Sequence, residues 1–485
     1  MIVVGAGLSG IGAACHLKLE CPRKSFVILE GRDTMGGTWD LFRYPGVRSD
    51  SDMYTLGYPF RPWRDPKAIA EGGAILNYIR ETAAEYEVEK SIRYRHRVRR
   101  VSWSGDEARW TVEAEIGAET VQLSCNFLFL CTGYYDYANG YTPDWPGVAR
   151  FRGTIVHPQQ WPADLNYDGK RVVVIGSGAT AITLVPALAQ RATHVTMLQR
   201  SPSYVVSRPA EDPLAKLLRR YLPVDTVYAL TRWKNVLFGT FFYNLARNRP
   251  AFFKWMVAKG IRNELGDEYA ARHFVPQYNP WDQRLCVAAD ADLFNAIRNG
   301  RVSVVTDHIE TFTEDGLRLK SGAHLQADII VTATGLVMKL FNGMQLVVDG
   351  APVDMPQTLV YKGMMFSDVP NLAFAVGYTN ASWTLKCDLT AEYVCRLLNH
   401  MDQRGYSVCT PRVNDPEIEE EPVIDFNSGY VLRALPTLPR QGSKQPWRLH
   451  QNYVKDLSMM RYGRIEDGTM EFKPVKTLRE SQFVS

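Results

Sequence analysis

Two glycine runs, each set between an apolar strand and a helix, constrain this 485-residue chain more than any other feature. The first lies in "IVVGAGLSGIGAACHL": Ile2 to Val4 are β-branched, Gly5-x-Gly7-x-x-Gly10 follows, and Leu8, Ile11, Ala14 and Leu17 recur at helical spacing. Glycines in that pattern serve a tight turn, close backbone approach to a pyrophosphate, and close helix–sheet packing, while the helix N-terminus faces the phosphates. "FVILE" then ends at Glu30, where an acid can accept hydrogen bonds from a ribose 2′-OH. The second run lies in "RVVVIGSGATAITLVPALA", with strand Arg171 to Ile175 and then Gly176-x-Gly178-x-x-Ala181. Its next strand, "HVTMLQ", ends in Gln199-Arg200-Ser201. Gly5 to Glu30 is 25 positions and Gly176 to Arg200 is 24, so an acid in one unit stands where Arg-Ser stands in the other. The acid suits a free 2′-OH, and Arg200 with Ser201 suits a 2′-phosphate. The first unit therefore reads as an FAD site and the second as an NADPH site. An ordinary exposed arginine after a strand is the plainer alternative for Arg200. Pro186, inside the second helix, is expected to kink it or cost it a hydrogen bond.

Two more strands echo each other. "NFLFLCTG" and "ADIIVTATG" are apolar runs stopped by Thr-Gly, one in each half of the chain. They support an α/β fold of two Rossmann-like dinucleotide-binding domains, the second inserted in the first. A length of 485 residues fits two or three domains. The formal charge of +4 is weak for this length and points to neither nucleic acid nor a polyanionic substrate. The eight cysteines form no C-x-x-C pair, which argues against a zinc site, a disulfide scaffold or a dithiol reductase. No metal is expected. No apolar run reaches the roughly 18 residues of a membrane span, and the first residues open into a strand rather than a signal peptide, so a cytoplasmic protein is expected. That first strand has only Met1 to Val4 before its glycine, short against the usual five or six or so.

Between the two nucleotide loops stands "FRGTIVHPQQWP", with Phe151, Gly153, His157, Trp161 and Pro162 at fixed offsets and no metal partner or nucleophile beside the histidine. These residues match F-x-G-x-x-x-H-x-x-x-W-P. A second pattern, [AG]-G-x-W-x-x-x-x-[FY]-P-G-x-x-x-D, is met by Gly36, Gly37, Trp39, Tyr44, Pro45, Gly46 and Asp50. On these motifs the chain resembles the FAD- and NADPH-dependent Baeyer–Villiger monooxygenases. "YNPWDQRLC", "VGYTNASWTLK" and "SGYVLRALPTLPRQGS" extend the likeness, over nearly the whole chain, to the ethionamide-activating branch.

The resemblance implies FAD-binding segments over residues 1–142 and 343–485, NADPH-binding segments over 143–208 and 281–342, and a helical insert over 209–280 that covers the active site. It implies that NADPH reduces the flavin and that O2 then supplies one oxygen atom to a ketone, giving an ester or lactone. Sulfides or thioamides would be oxygenated at the same site. Gly37, Thr38, Trp39, Asp50, Tyr378 and Asn380 are implied in flavin binding, and 151–162 as the hinge between the domains with His157 in a positioning role. Asn380 or Ser382 is expected to cap the helix that follows. Arg284 is implied as the cation beside the flavin, held by a bidentate pair with Asp50; a pair that only fixes domain geometry is the alternative. At Gln283 many members of the family carry a Lys that helps bind the 2′-phosphate. A purely N- or S-oxygenating flavin enzyme and a nucleotide-sensing interaction protein are the competing readings.

Residues 226–263 hold seven Arg or Lys and no acid, interleaved with Phe238, Phe241, Phe242, Tyr243, Phe252, Phe253 and Trp255. Core aromatics with a solvated basic face are expected there, with contact to an anionic membrane surface as the alternative.

Overall fold

The computed structural model describes residues 1–474; residues 475–485, the end of the second FAD-binding segment expected from sequence, lie outside the described part. Strand β1 (Ile2–Val4) turns through the first glycine loop into helix α1 (Leu8–Glu20), followed by β2 (Val27–Leu29), β3 (Ile92–Arg93) and β4 (Leu128–Leu130). The chain leaves this unit through β5 (Tyr135–Gly140) and enters a second through β6 (Thr154–Val156), β7 (Arg171–Ile175), α2 (Ala179–Leu188) and β8 (His194–Gln199). The insert is helical, dominated by α3 (Val224–Asn248) and α4 (Pro250–Leu265). The second unit ends with β9 (Val302–Thr306) and β10 (Ile329–Thr332), and β11 (Leu336–Met338) returns the chain to β12 (Leu372–Phe374) and α5 (Trp383–Arg404).

Both sheets are five-stranded and parallel, ordered β12-β4-β1-β2-β3 and β9-β8-β7-β10-β6. Each glycine-loop strand lies at the centre of its sheet. Parallel strands are covered on both faces, which is why "LFL", "VVVI" and "IIVT" are continuous apolar runs rather than alternating ones. Each unit also carries an antiparallel meander, between β3 and β4 in the first and between β9 and β10 in the second: Arg97–Ser104, Arg109–Ile116 and Glu119–Cys125 in one, Ile309–Thr313, Gly316–Leu319 and His324–Gln326 in the other. Helix α2 runs through Pro186 and ends two residues later, so the proline sits in the last turn.

The chain crosses between the units on a two-stranded ribbon. Strands β5 and β11 pair antiparallel, Tyr135 opposite Met338 and Gly140 opposite Leu336, and form the two-stranded ribbon that carries the chain out and back. Residues 151–162 instead run along the edge of the second sheet as β6 and brace that ribbon. Phe151 packs on Phe312, at 6.4 Å between ring centres. His157 donates from Nε2 to the Gly335 carbonyl at 3.2 Å and accepts from the Gln159 N–H at Nδ1. Burial lowers the His157 pKa, so the ring stays neutral near pH 7. A methyl group on Gly140 would lie 1.9 Å from the His157 ring, so the ribbon and the histidine require each other's shape.

Candidate active site

In the first loop, Gly5 has φ +104° and a Cβ there would stand 2.5 Å from the Cys131 carbonyl oxygen; a Cβ on Gly10 would stand 1.8 Å from the Gly5 oxygen. The second loop repeats the device: Gly176 has φ +136° and faces the Ala333 oxygen at 2.3 Å. Cys131 and Ala333 are the residues before the two Thr-Gly turns, so those echoes are the strand ends on which the glycine loops rest. Gly178 faces open space, a surface a phosphate can approach, and Ala181 is buried behind it.

Glu30 is buried and accepts from the Ala6 N–H at 2.8 Å and the Arg32 N–H at 2.9 Å. Burial raises its pKa against the pull of those two donors. Gly37, at φ +55°, lies against Gly7, so the Gly36-Gly37 segment closes over the loop. The Thr38 hydroxyl bonds the Tyr135 hydroxyl at 2.5 Å, and Trp39 is half-buried against the core of the first unit. Sequence reasoning missed buried Asp40, which accepts from Arg32 at 2.7 Å and Arg43 at 3.2 Å. Arg32 also reaches the Gly37 carbonyl, so one guanidinium ties the Glu30 turn to the Gly37 turn.

Arg200 and Ser201 are exposed at the end of β8. Arg200 has no hydrogen-bond or ion-pair partner among the described residues, while the Ser201 carbonyl accepts from Ser177 Oγ at 3.0 Å.

Between the units and beneath the insert lies a cavity of about 530 Å³, lined among others by Asp50, Arg284, Asn380, Ser382 and Phe238. The turn that carries Asp50 requires Gly46, at φ +79°, whose Cβ would stand 2.5 Å from the Thr183 carbonyl of α2. One motif thus binds the first unit to the helix of the second. A smaller, apolar cavity of about 110 Å³ adjoins it, lined by Tyr134, Phe374, Phe426, Tyr430 and Leu438, and Arg284 stands on the wall of both.

The bidentate pair expected between Arg284 and Asp50 is absent: neither a hydrogen bond nor an ion pair joins them. Burial opposes the Arg284 charge, but the Tyr134 and Tyr430 hydroxyls and Asp50 keep its pKa above the ordinary arginine value. Burial raises the Asp50 pKa, with Arg284 and Arg48 acting in the opposite direction. Arg48, two residues from Asp50, makes the direct pair instead, with Asp292 at 2.5 and 3.3 Å.

Ser382 occupies the N-cap of α5, but its hydroxyl bonds Thr55 Oγ1 at 2.6 Å rather than the helix, so the first turn has no side-chain cap. Asn380 donates to the Gln451 carbonyl at 2.8 Å, and its Oδ1 is buried with no partner. Tyr378 lies in the wall of the smaller cavity, where its hydroxyl and the Lys386 ammonium both donate to Asp456 Oδ2 at 2.8 Å. Lys386 ends the stretch "VGYTNASWTLK", but its pairing with Asp456 gave no sequence signal, since the two meet only through the fold.

Residues 52–379 match the flavin-binding monooxygenase-like family, and residues 3–67 match an NAD(P)-binding Rossmann-like domain. The chain is 54% identical to the FAD-containing monooxygenase EthA of Mycobacterium tuberculosis, over 97% of each. It is 47% identical to the probable FAD-binding monooxygenase AlmA of Acinetobacter baylyi, over 97% of this chain and 95% of that one. Among solved structures, an oxidized steroid monooxygenase bound to NADP superposes with a TM-score of 0.77 at 23% identity, over 97% of this chain and 98% of that one. At that identity the likeness speaks to the fold.

Proposed function

The chain belongs to the flavin-binding monooxygenase-like family, and we propose that it uses NADPH and O2 to insert one oxygen atom into ketones, giving esters or lactones. Sulfides and thioamides are oxygenated at the same site. The cofactors are FAD and NADP. The first glycine loop with Glu30, the closing Gly37 turn and the unpartnered Asn380 Oδ1 suit FAD; the open face of Gly178 with Arg200 and Ser201 suits NADPH. When bound, the flavin takes hydride from NADPH and activates O2. The protein's task is to hold charge and substrate in place. The smaller cavity receives the apolar body of the substrate.

The observation that carries this reading is Arg284, a guanidinium on the wall shared by both cavities and bound to no carboxylate. It is exposed to the cavity space, free to meet negative charge as that charge develops on oxygen at the ketone carbon. Asp50 and the two tyrosine hydroxyls favour its charged form. A fixed donor of this kind contributes about 3 to 4 kcal/mol to such a step. Sulfur oxygenation forms no carbonyl adduct and leans on Arg284 less.

The test is product analysis with a ketone and sulfide panel. The native enzyme should yield esters, and Arg284→Ala should retain FAD while losing about 10² to 10³ in ester formation. Ester formation at the native rate in that variant would overturn the role. A native enzyme that oxygenates sulfides but no ketone would be a sulfur- or nitrogen-oxygenating monooxygenase instead.

A further inference from the structure

The insert shows an outer surface quite unlike the expected solvated basic face. On α3, Leu230, Trp233, Leu237, Phe238 and Phe241 are between 43% and 60% exposed. Their spacing puts them on one stripe of the helix, turned away from the core. Helix α4 adds exposed Phe252 and Trp255, whose rings lie 5.8 Å apart, with the Lys259 ammonium 5.2 Å over Trp255. Core-facing positions of the same helices, Tyr228, Val236, Phe253 and Val257, are buried, so the apolar residues divide between two faces. Apolar patches of this kind mark interaction surfaces.

The charges narrow the partner. Arg232 is buried and donates to the Tyr54 and Gly57 carbonyls, each at 2.8 Å. Lys234, Arg247 and Arg262 pair with Asp212, Asp282 and Asp267. Arg249, Lys254 and Lys259 have no carboxylate partner among the described residues. Two copies of this face meeting about a two-fold axis would oppose these cations to themselves. An anionic surface opposes them to nothing.

We propose that the outer face of α3 and α4 rests on an anionic phospholipid bilayer. The aromatic stripe sits at the headgroup boundary, and Arg249, Lys254 and Lys259 lie against the lipid phosphates. No helix among the described residues is long and apolar enough to cross the membrane, so the contact is peripheral. Phe238 belongs both to the stripe and to the wall of the 530 Å³ cavity, joined there by Gly239, Met256 and Gly260. The docked face therefore borders the active-site cavity, and an apolar substrate dissolved in the lipid reaches it without crossing water.

Co-sedimentation of the FAD-loaded enzyme with vesicles tests this. Binding is expected with phosphatidylglycerol in phosphatidylcholine, not with phosphatidylcholine alone, and should weaken as salt rises. Phe241→Ser with Trp255→Ser, neither of which lines the cavity, should lower partitioning about tenfold or more and leave NADPH oxidation in vesicle-free buffer unchanged. Lys254→Gln with Lys259→Gln should do the same through charge. An enzyme that stays in the supernatant with anionic vesicles at low salt overturns the proposal. So does a serine variant that binds vesicles as the native enzyme does, or one whose only change is from oligomer to monomer, which would make the face a contact between copies.

Discussion

Arg200 is a cation without a carboxylate beside it, at the end of the strand that follows the second glycine loop. That arrangement leaves its planar fork available to a phosphate, and the neighbouring Ser201 hydroxyl can add a donor. Arg200→Ala is expected to raise KM for NADPH about tenfold or more while NADH, which lacks the 2′-phosphate, changes little. Steady-state kinetics with both cofactors decide it, and equal losses would remove the assignment. Asp50 and Arg284 show the other side of reading single residues. Their types and spacing in motifs mark both as chemistry, yet a direct pair does not follow from spacing. Tyr134 and Tyr430, which share the smaller cavity's wall with Arg284, come from different parts of the fold.

Helices α1 and α5 are far apart in sequence and pack together, and their contact holds a buried charge. His16 bonds Asp388 at 2.7 Å through Nε2 and Glu20 at 2.7 Å through Nδ1. Burial works against the charged ring, but the two carboxylates overcome it and raise the pKa from 6.5 to about 10. A histidine that gains affinity for its proton on folding stabilises the fold fully below its unfolded pKa, and that contribution is lost as pH rises through the folded value. Thermal stability should therefore decline between pH 6.5 and about 10 through this group. His16→Gln should begin lower and lack that part of the decline, measured by unfolding midpoints at a series of pH values. A parallel decline in both proteins would show that the clamp carries no such linkage.

The two nucleotide units are held together covalently by the β5–β11 ribbon and non-covalently by the Tyr44-Pro45-Gly46 turn on α2 and the insert. A dinucleotide bound between them adds contacts to both units in the folded state only. NADP+ at about one hundred times its Kd should stabilise the enzyme by about 2.7 kcal/mol, seen as a rise in the thermal midpoint. The same rise in Arg200→Ala should require a higher concentration, and an unchanged midpoint in the native enzyme would mean that NADP+ does not bind the folded state in preference to the unfolded one.

What could be read from the chain alone was whatever backbone geometry imposes on neighbouring residues. Gly5, Gly10 and Gly176 are required by carbonyls that approach within 2.5 Å of where a Cβ would stand, so the loops, their strands and the acid-versus-arginine contrast of Glu30 and Arg200 were legible. The echo of Cys131-Thr132-Gly133 in Ala333-Thr334-Gly335 was visible too. That these turns launch the two strands of the crossing ribbon was not, because strand pairing across the insert joins residues with no local tie. The same limit hid Asp40 under its arginines, Lys386 against Asp456, and the split of the aromatic residues in 226–263 between a core face and an exposed stripe. Helical spacing says which residues share a face. Only packing decides which face is covered, since burial depends on what the rest of the chain brings alongside.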